Sequence, residues 1–242
     1  MGIYDETVAI PRKTMTLFFL IDCSGSMSGT KIGAVNQALE EAIPEIRDIS
    51  ISNADAQIRI AVLQFSSGAE WMTKLPENVE NFIWSYISAG GMTDFGEACR
   101  KLNGKLSKSE FMQSASGSYA PVIILMSDGE PTDDFEAPLE ELKTNNWFKK
   151  AIRVAIAVGD DAKKDVLEKF TGNMETVLDV HNPEALKSII KFVSVTSSQI
   201  ASKPMAGGAG KIDSVISKQD EMISKIKDSL QFSADAGDVD EW

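Results

Sequence analysis

The chain has 242 residues, 43% of them hydrophobic and 25% charged, with a formal net charge of −12. That length fits one large domain or one domain with an appendage, and the apolar content suffices for a sizeable core, which excludes disorder over most of the chain. The acidic balance argues against nucleic acid as the main partner, because phosphate binding needs clustered cations.

Two cysteines, Cys23 and Cys99, are too few for a disulfide framework. No secretory leader is read at the start, and the most apolar runs fall far short of the roughly 18 residues of a membrane span, so a soluble cytoplasmic protein is expected.

Met15 to Ile21 is an apolar run rich in strand formers, the pattern of a strand buried on both faces of a parallel sheet. Asp22-Cys23-Ser24-Gly25-Ser26 follows as a polar turn. From Thr30, read as an N-cap, Ile32, Val35, Leu39, Ala42, Ile43 and Ile46 recur at helical spacing, with Pro44 expected to kink or shorten the last turns. Ile58 to Phe65 and Glu70 to Leu75 read as two strands joined by a Ser-Ser-Gly turn, a hairpin that supplies one antiparallel edge strand.

Gly90-Gly91-Met92-Thr93-Asp94-Phe95 is a glycine-led loop, and Phe95, Ala98, Cys99, Leu102 and Leu106 continue it as a helix with one apolar face. Pro121 to Met126 is the second fully apolar strand, ending in Ser127-Asp128-Gly129-Glu130-Pro131 before a helix over Asp134 to Phe148. Ile152 to Val158 predicts a further strand, Lys163 to Phe170 a short helix, Glu175 to Leu178 a last strand and Pro183 to Val195 a closing helix. Alternating strands and helices specify a three-layer, doubly wound, Rossmann-like α/β fold with a mostly parallel central sheet.

Met205 to Gly210 has linker composition, so a domain is expected over 1–200 and an appendage over 201–242. In the appendage Ile212, Val215, Ile216, Met222, Ile223, Ile226 and Leu230 mark an amphipathic helix, followed by an acidic tail. That helix either docks back on its own domain or recruits a partner; a place over the functional site, as an autoinhibitor, stays open.

In open parallel sheets, ligands sit beyond the carboxyl ends of the strands, where successive crossovers leave in opposite directions. Both buried strands lead into an aspartate there, Asp22 and Asp128. Two unit charges about 5 Å apart at an effective dielectric near 20 repel by on the order of 3 kcal/mol, so positive charge is expected between them. No Lys, Arg or His lies within the two strand-end motifs, whereas Ser24, Ser26 and Thr93 offer hydroxyl oxygens. An all-oxygen donor set without thiol or imidazole suits a hard cation, Mg²⁺ first, with Mn²⁺ or Ca²⁺ as alternatives. A lysine plugging that gap would remove the need for the metal.

Each residue also has a plainer use. Asp22, Ser24 and Ser26 can close turns, Thr93 or Asp94 can cap the helix that follows, and Glu130, Asp133 and Asp134 can serve a helix dipole. Cys23 reads as a buried thiol, His181 as a surface turn residue, and Trp71, Trp84 and Trp147 as packing. The conjunction of Asp22, Ser24, Ser26, Thr93 and Asp128 is what favours the metal.

Asp22-Cys23-Ser24-Gly25-Ser26, Thr93 in its glycine-led loop and Ser127-Asp128-Gly129 resemble the metal-ion-dependent adhesion site of von Willebrand factor A domains. The resemblance covers about residues 12–198. Asp22 to Met27, Ala34-Val35-Asn36 and Leu125 to Asp134 look further like the bacterial TerY-type proteins of tellurite resistance and stress response. The resemblance implies that Ser24 and Ser26 bind the ion directly, that Thr93 does so in the ligand-competent state, and that Asp22 and Asp128 act through bound waters. It also implies a protein partner whose Glu or Asp completes the coordination, and no catalysis.

The rival is a Mg²⁺-dependent phosphohydrolase with Asp22 as nucleophile. The second acid of that arrangement is replaced by Ser24, and a GxxxxGK[ST] phosphate loop is lacking. A third reading is a substrate-presenting subunit of an ATPase or kinase machine.

Overall fold

The computed structural model describes residues 12–54, 56–112, 117–202 and 218–233. In chain order it contains β1 (Lys13–Asp22), α1 (Thr30–Ser52), β2 (Ala56–Ser66), β3 (Gly68–Trp71), β4 (Glu77–Asn78), α2 (Phe95–Lys105) and β5 (Val122–Ser127). Then follow α3 (Glu136–Thr144), α4 (Asn146–Lys150), β6 (Ile152–Val158), α5 (Lys164–Thr171), β7 (Val177–Val180), α6 (Pro183–Ser202) and α7 (Lys218–Ser233). The sheet runs β3-β2-β1-β5-β6-β7, parallel from β2 to β7, with β3 and the two-residue β4 antiparallel to β2 at the edge.

Alternation along the central strands builds two cores, one on each face of the sheet. Leu17, Phe19 and Ile21 of β1 join Ile60, Ile124 and Val154 under α1, α6 and α7. Phe18 and Leu20 join Leu63, Ile123 and Leu125 under α2, α3, α4 and α5. This is the expected three-layer α/β architecture. Among the described residues no helix is long and apolar enough to cross a membrane.

Several local expectations give way to tertiary packing. Helix α1 is not shortened at Pro44 but continues to Ser52, because Ile46 and Ser50 beyond the proline stay buried. That burial outweighs the roughly 3 kcal/mol that an interior proline costs. Gly29, not Thr30, takes the N-cap position, and Thr30 is the first helical residue. The single helix expected over Asp134 to Phe148 is broken at Asn145, whose side chain accepts hydrogen bonds from the amides of Trp147 and Phe148 and so starts α4 anew.

Helix α7 docks on its own domain, which answers one question left open by the sequence. Met222 and Ile226 are buried in the core under α6, and the Ser197 hydroxyl donates to the Met222 sulfur at 3.8 Å. The Gln219 amide accepts from the Arg153 N–H at 2.9 Å and donates to the Arg153 carbonyl at 3.0 Å. β7 begins pairing only at Ala155, so Gln219 satisfies a stretch of β6 that lacks a neighbouring strand on its β7 side. Arg153 is the second residue of β6, so this contact lies at the amino ends of the strands. The remaining appendage residues named above, Ile212, Val215 and Ile216, the linker and the acidic tail, lie outside the described residues.

Candidate metal centre

β1 and β5 are adjacent and in register, Ile21 opposite Met126, so Asp22 comes level with Ser127 and close to Asp128. The chain leaves β1 through α1 towards β2 and leaves β5 through α3 and α4 towards β6, on opposite sides of the sheet. The aspartates therefore sit at the switch point of the topology, where a crevice opens.

Asp22 is fully buried and held on both oxygens: Oδ1 accepts the Ser24 amide at 2.8 Å and Oδ2 accepts the Ser127 hydroxyl at 2.6 Å. Burial pushes the Asp22 carboxyl above its ordinary value; the Ser127 and Ser24 hydrogen bonds oppose that rise, and the charge on Asp128 adds to it. The Ser24 and Ser26 hydroxyls lie 3.0 Å apart, and Ser26 donates to Asp128 Oδ1 at 2.8 Å.

The glycine loop is stitched onto these residues by backbone bonds. Gly90 N donates to the Cys23 carbonyl at 2.8 Å and Gly25 N to the Gly91 carbonyl at 3.0 Å. Gly129 shows how the oxygens converge. A Cβ placed there would stand 3.4 Å from Ser26 Oγ, 3.5 Å from Asp22 Oδ2 and 3.5 Å from Thr93 Oγ1. One point is thus within reach of three loops, and only glycine leaves it clear.

This donor set fits a hard cation. Neighbouring oxygens around octahedral Mg²⁺, bound at about 2.0–2.1 Å, are about 3 Å apart, which the two serine hydroxyls already match. Among the described residues no group of three or more His, Cys, Asp or Glu side chains gathers for a metal. The centre has only two carboxylates, and its remaining oxygens are hydroxyls.

The two strand-end motifs hold no cation of their own, but one reaches Asp128 from outside them. Lys31 Nζ contacts Asp128 Oδ2 at 2.5 Å and Asp161 Oδ1 at 2.8 Å. Burial pulls the Lys31 ammonium down, but hydrogen bonds to Asp128 and Asp161 outweigh it and raise it overall. The lysine lies outside both strand-end motifs and reaches the site from the first turn of α1. Its contacts are with Asp128 and Asp161, on the side of Asp128 away from the oxygen that Ser26 holds, so it does not bridge the two strand-end aspartates.

Sequence reasoning also missed the residues that tie the loops together. Thr132 accepts the Thr93 amide through its hydroxyl at 2.9 Å and donates its own amide to the Thr93 carbonyl at 2.9 Å. Asp133 accepts the amides of Gly96 at 2.9 Å and Glu97 at 3.1 Å. It therefore caps α2, not the helix that follows it in sequence, while Asp94 at the α2 N-cap position turns away to accept the Gly68 amide at 2.7 Å. Asn36 clamps the backbone of Ile87, with bonds of 2.8 and 2.9 Å, just ahead of the glycine loop.

Of these, Lys31 left the clearest trace in sequence. A cation in the first turn of a helix opposes the dipole, and such a placement calls for another partner.

The other candidates behave as structural residues. Cys23 and Cys99 are buried free thiols in the cores on opposite faces of the sheet, and burial pushes both above their ordinary values. His181 is exposed and pairs with Asp160. Trp71 packs against Phe18 and Phe111.

Comparisons with known proteins agree with this fold. The family model of the von Willebrand factor type A domain matches residues 16–192. The chain is 29% identical over 130 residues to mouse inter alpha-trypsin inhibitor heavy chain 4, a match covering 51% of this chain and 13% of that protein. A von Willebrand factor type A structure from Catenulispora acidiphila superposes with a TM-score of 0.59 at 18% identity, covering 76% of this chain and 42% of the other. Proximal thread matrix protein 1 from the mussel byssus, solved with a zinc-occupied MIDAS motif, superposes with a TM-score of 0.56 at 16% identity, covering 76% of this chain and 49% of the other. The chain thus spans a small part of the curated relative and less than half of either solved chain.

Proposed function

The chain belongs to the von Willebrand factor type A family, and from that membership we propose that it is a protein-interaction module whose binding depends on a divalent cation at Asp22, Ser24, Ser26, Thr93 and Asp128. The observation that carries the proposal is the convergence of Asp22, Ser26 and Thr93 oxygens on the clear space beside Gly129. In this reading Ser24, Ser26 and Thr93 would hold Mg²⁺ through their hydroxyls, and Asp22 and Asp128 through waters. The ion would supply a Lewis-acidic seat for a Glu or Asp of a protein partner. Neutral hydroxyl ligands leave much of the positive charge uncompensated, which favours such an anion.

The chain's own residues do the positioning. Ser127 and the Ser24 amide fix Asp22, and Ser26 fixes Asp128. Thr132 holds the backbone of Thr93 from both sides, so the three loops move as one body unless that pair of bonds opens. The placement of the partner in a bacterial tellurite-resistance or stress-response complex, in the cytoplasm, is supported by the sequence phrases around Asp22, Asn36 and Asp128 alone.

Lys31 favours the phosphohydrolase in one respect, since it supplies the cation that reading had lacked. Asp22 counts against it more heavily. A nucleophilic carboxylate needs a free, accessible oxygen, and both oxygens of this buried side chain are already engaged.

The test is affinity capture from a lysate with Mg²⁺, with EDTA, and with Asp22→Ala in Mg²⁺. A partner recovered only by the wild-type chain in Mg²⁺ is expected. Equal recovery in all three defeats the proposal, and phosphatase turnover lost in Asp22→Ala promotes the rival.

A further inference from the structure

Among the described residues, the one cationic side chain in contact with Asp128 belongs to none of the metal-site motifs. Lys31 Nζ lies between Asp128 Oδ2 at 2.5 Å and Asp161 Oδ1 at 2.8 Å. The two carboxylates differ sharply: the Asp128 side chain is 0% exposed and that of Asp161 74%. The stem of the lysine passes over Gly159, where a Cβ would stand 2.7 Å from Lys31 Cε, so any other residue there would displace the end of the lysine. Gly159 also has φ +89, a backbone state that reserves the position for glycine on its own account.

We propose that Lys31 is a tethered cation that competes with the metal ion for Asp128, with Asp161 as its second seat, so that this pair sets how tightly the centre holds its ion. The inference rests on the proposed metal site and adds to it the residues that tune its affinity. Without a metal, Asp22 and Asp128 are buried side chains, and Lys31 is the ammonium in contact with Asp128. A dication and an ammonium on one carboxylate repel each other, so the ion is held against the lysine's charge. Asp161 lets the lysine stay paired when it gives up Asp128, and without that seat displacement costs more.

Lys31 is thus neither a ligand nor a plug. It keeps the metal-free loops from splaying apart and weakens binding of the ion. Such an arrangement suits a centre that loads when free cation rises, and not one that retains its ion permanently.

The experiment is calorimetric titration of MgCl₂ into the full-length wild-type chain, Lys31→Met, Asp161→Asn and the double variant, with melting curves in EDTA and in Mg²⁺. Methionine retains the apolar stem over Gly159 and removes the charge. Lys31→Met is expected to bind Mg²⁺ roughly tenfold more tightly and to melt lower in EDTA than the wild type, so that its gain in melting temperature with Mg²⁺ is the larger. Asp161→Asn, an exposed change that leaves the fold intact, is expected to bind a few-fold more weakly. The double variant should behave like Lys31→Met, because Asp161 acts through the lysine.

Mg²⁺ binding by the wild type with unchanged or weaker binding by Lys31→Met overturns the competition and leaves the metal site standing. Binding by Lys31→Met alone supports it in its extreme form, the lysine holding the ion off. No binding by any of the four chains overturns both this inference and the metal site. If Lys31→Met does not fold, Asp161→Asn decides: unchanged or tighter binding overturns the proposal.

Discussion

The two ends of the sheet solve the same problem in opposite ways. At the amino ends, β6 begins before β7 can pair with it, and α7 closes the gap with an apolar face, Met222 and Ile226, and one bidentate amide, Gln219. At the carboxyl ends, β1 and β5 run out beside each other. There the chain buries carboxylates and hydroxyls that satisfy one another across two loops. The first solution stabilises the fold. The second holds like charges together at a cost, and a fold keeps such an arrangement for what it binds.

Perturbing each end in turn tests that separation. The largest effect on stability is expected at the amino end. Met222→Ala should cost about 2 kcal/mol in urea denaturation, the low end for a buried methionine, because a terminal helix can undock locally. Mg²⁺ affinity should stay within about twofold, since the two ends are energetically independent. A large loss of affinity would show that α7 and the loops are coupled and would break the comparison.

A smaller effect is expected for Asp133→Ala, which removes the side-chain cap of α2. About 1 kcal/mol of stability should be lost. Mg²⁺ affinity should fall as well, because α2 follows directly on the Thr93 loop. A stability change with no change in affinity would make Asp133 a residue of the fold alone.

The smallest effect concerns pH. Burial raises the folded-state pKa of Asp22 above its ordinary value of 3.8, so between the two values the folded protein holds a proton that the unfolded chain has released. Its contribution to metal-free stability therefore falls as pH rises from 3.8 towards the raised value, and stays low above it. Asp22→Asn should remove this dependence. Denaturation in EDTA across that window should show the wild type losing ground to the variant as pH rises; parallel curves would mean that burial of Asp22 carries no penalty.

The comparison also explains what could be read from residues alone. The apolar run Met15 to Ile21 and its counterpart in β5 specify strands buried on both faces, and that demand produces the three layers. Asp22, Ser24, Ser26 and Asp128 drew attention for a related reason, since polar groups at the ends of such strands gather at one end of the sheet, whereas Thr93 lies in a loop ahead of α2. Pro44, Asn145 and Asp133 were misread because local propensity was judged without its competitors. Packing carries α1 through the proline, a side-chain cap splits a helix, and an aspartate serves a helix other than its own.

Sequence by itself therefore determined the alternation of elements, the burial of β1 and β5 on both faces, and the acids and hydroxyls placed at their ends, because hydrophobic period is carried by neighbouring residues. Tertiary structure decided that Lys31 stands on Asp128, that Thr132 and Asp133 hold the Thr93 loop, and that α7 packs at the far end of the sheet from the candidate metal centre. Those contacts join residues distant in the chain. Their strength comes from burial and from the absence of other partners, and neither exists until the sheet has formed.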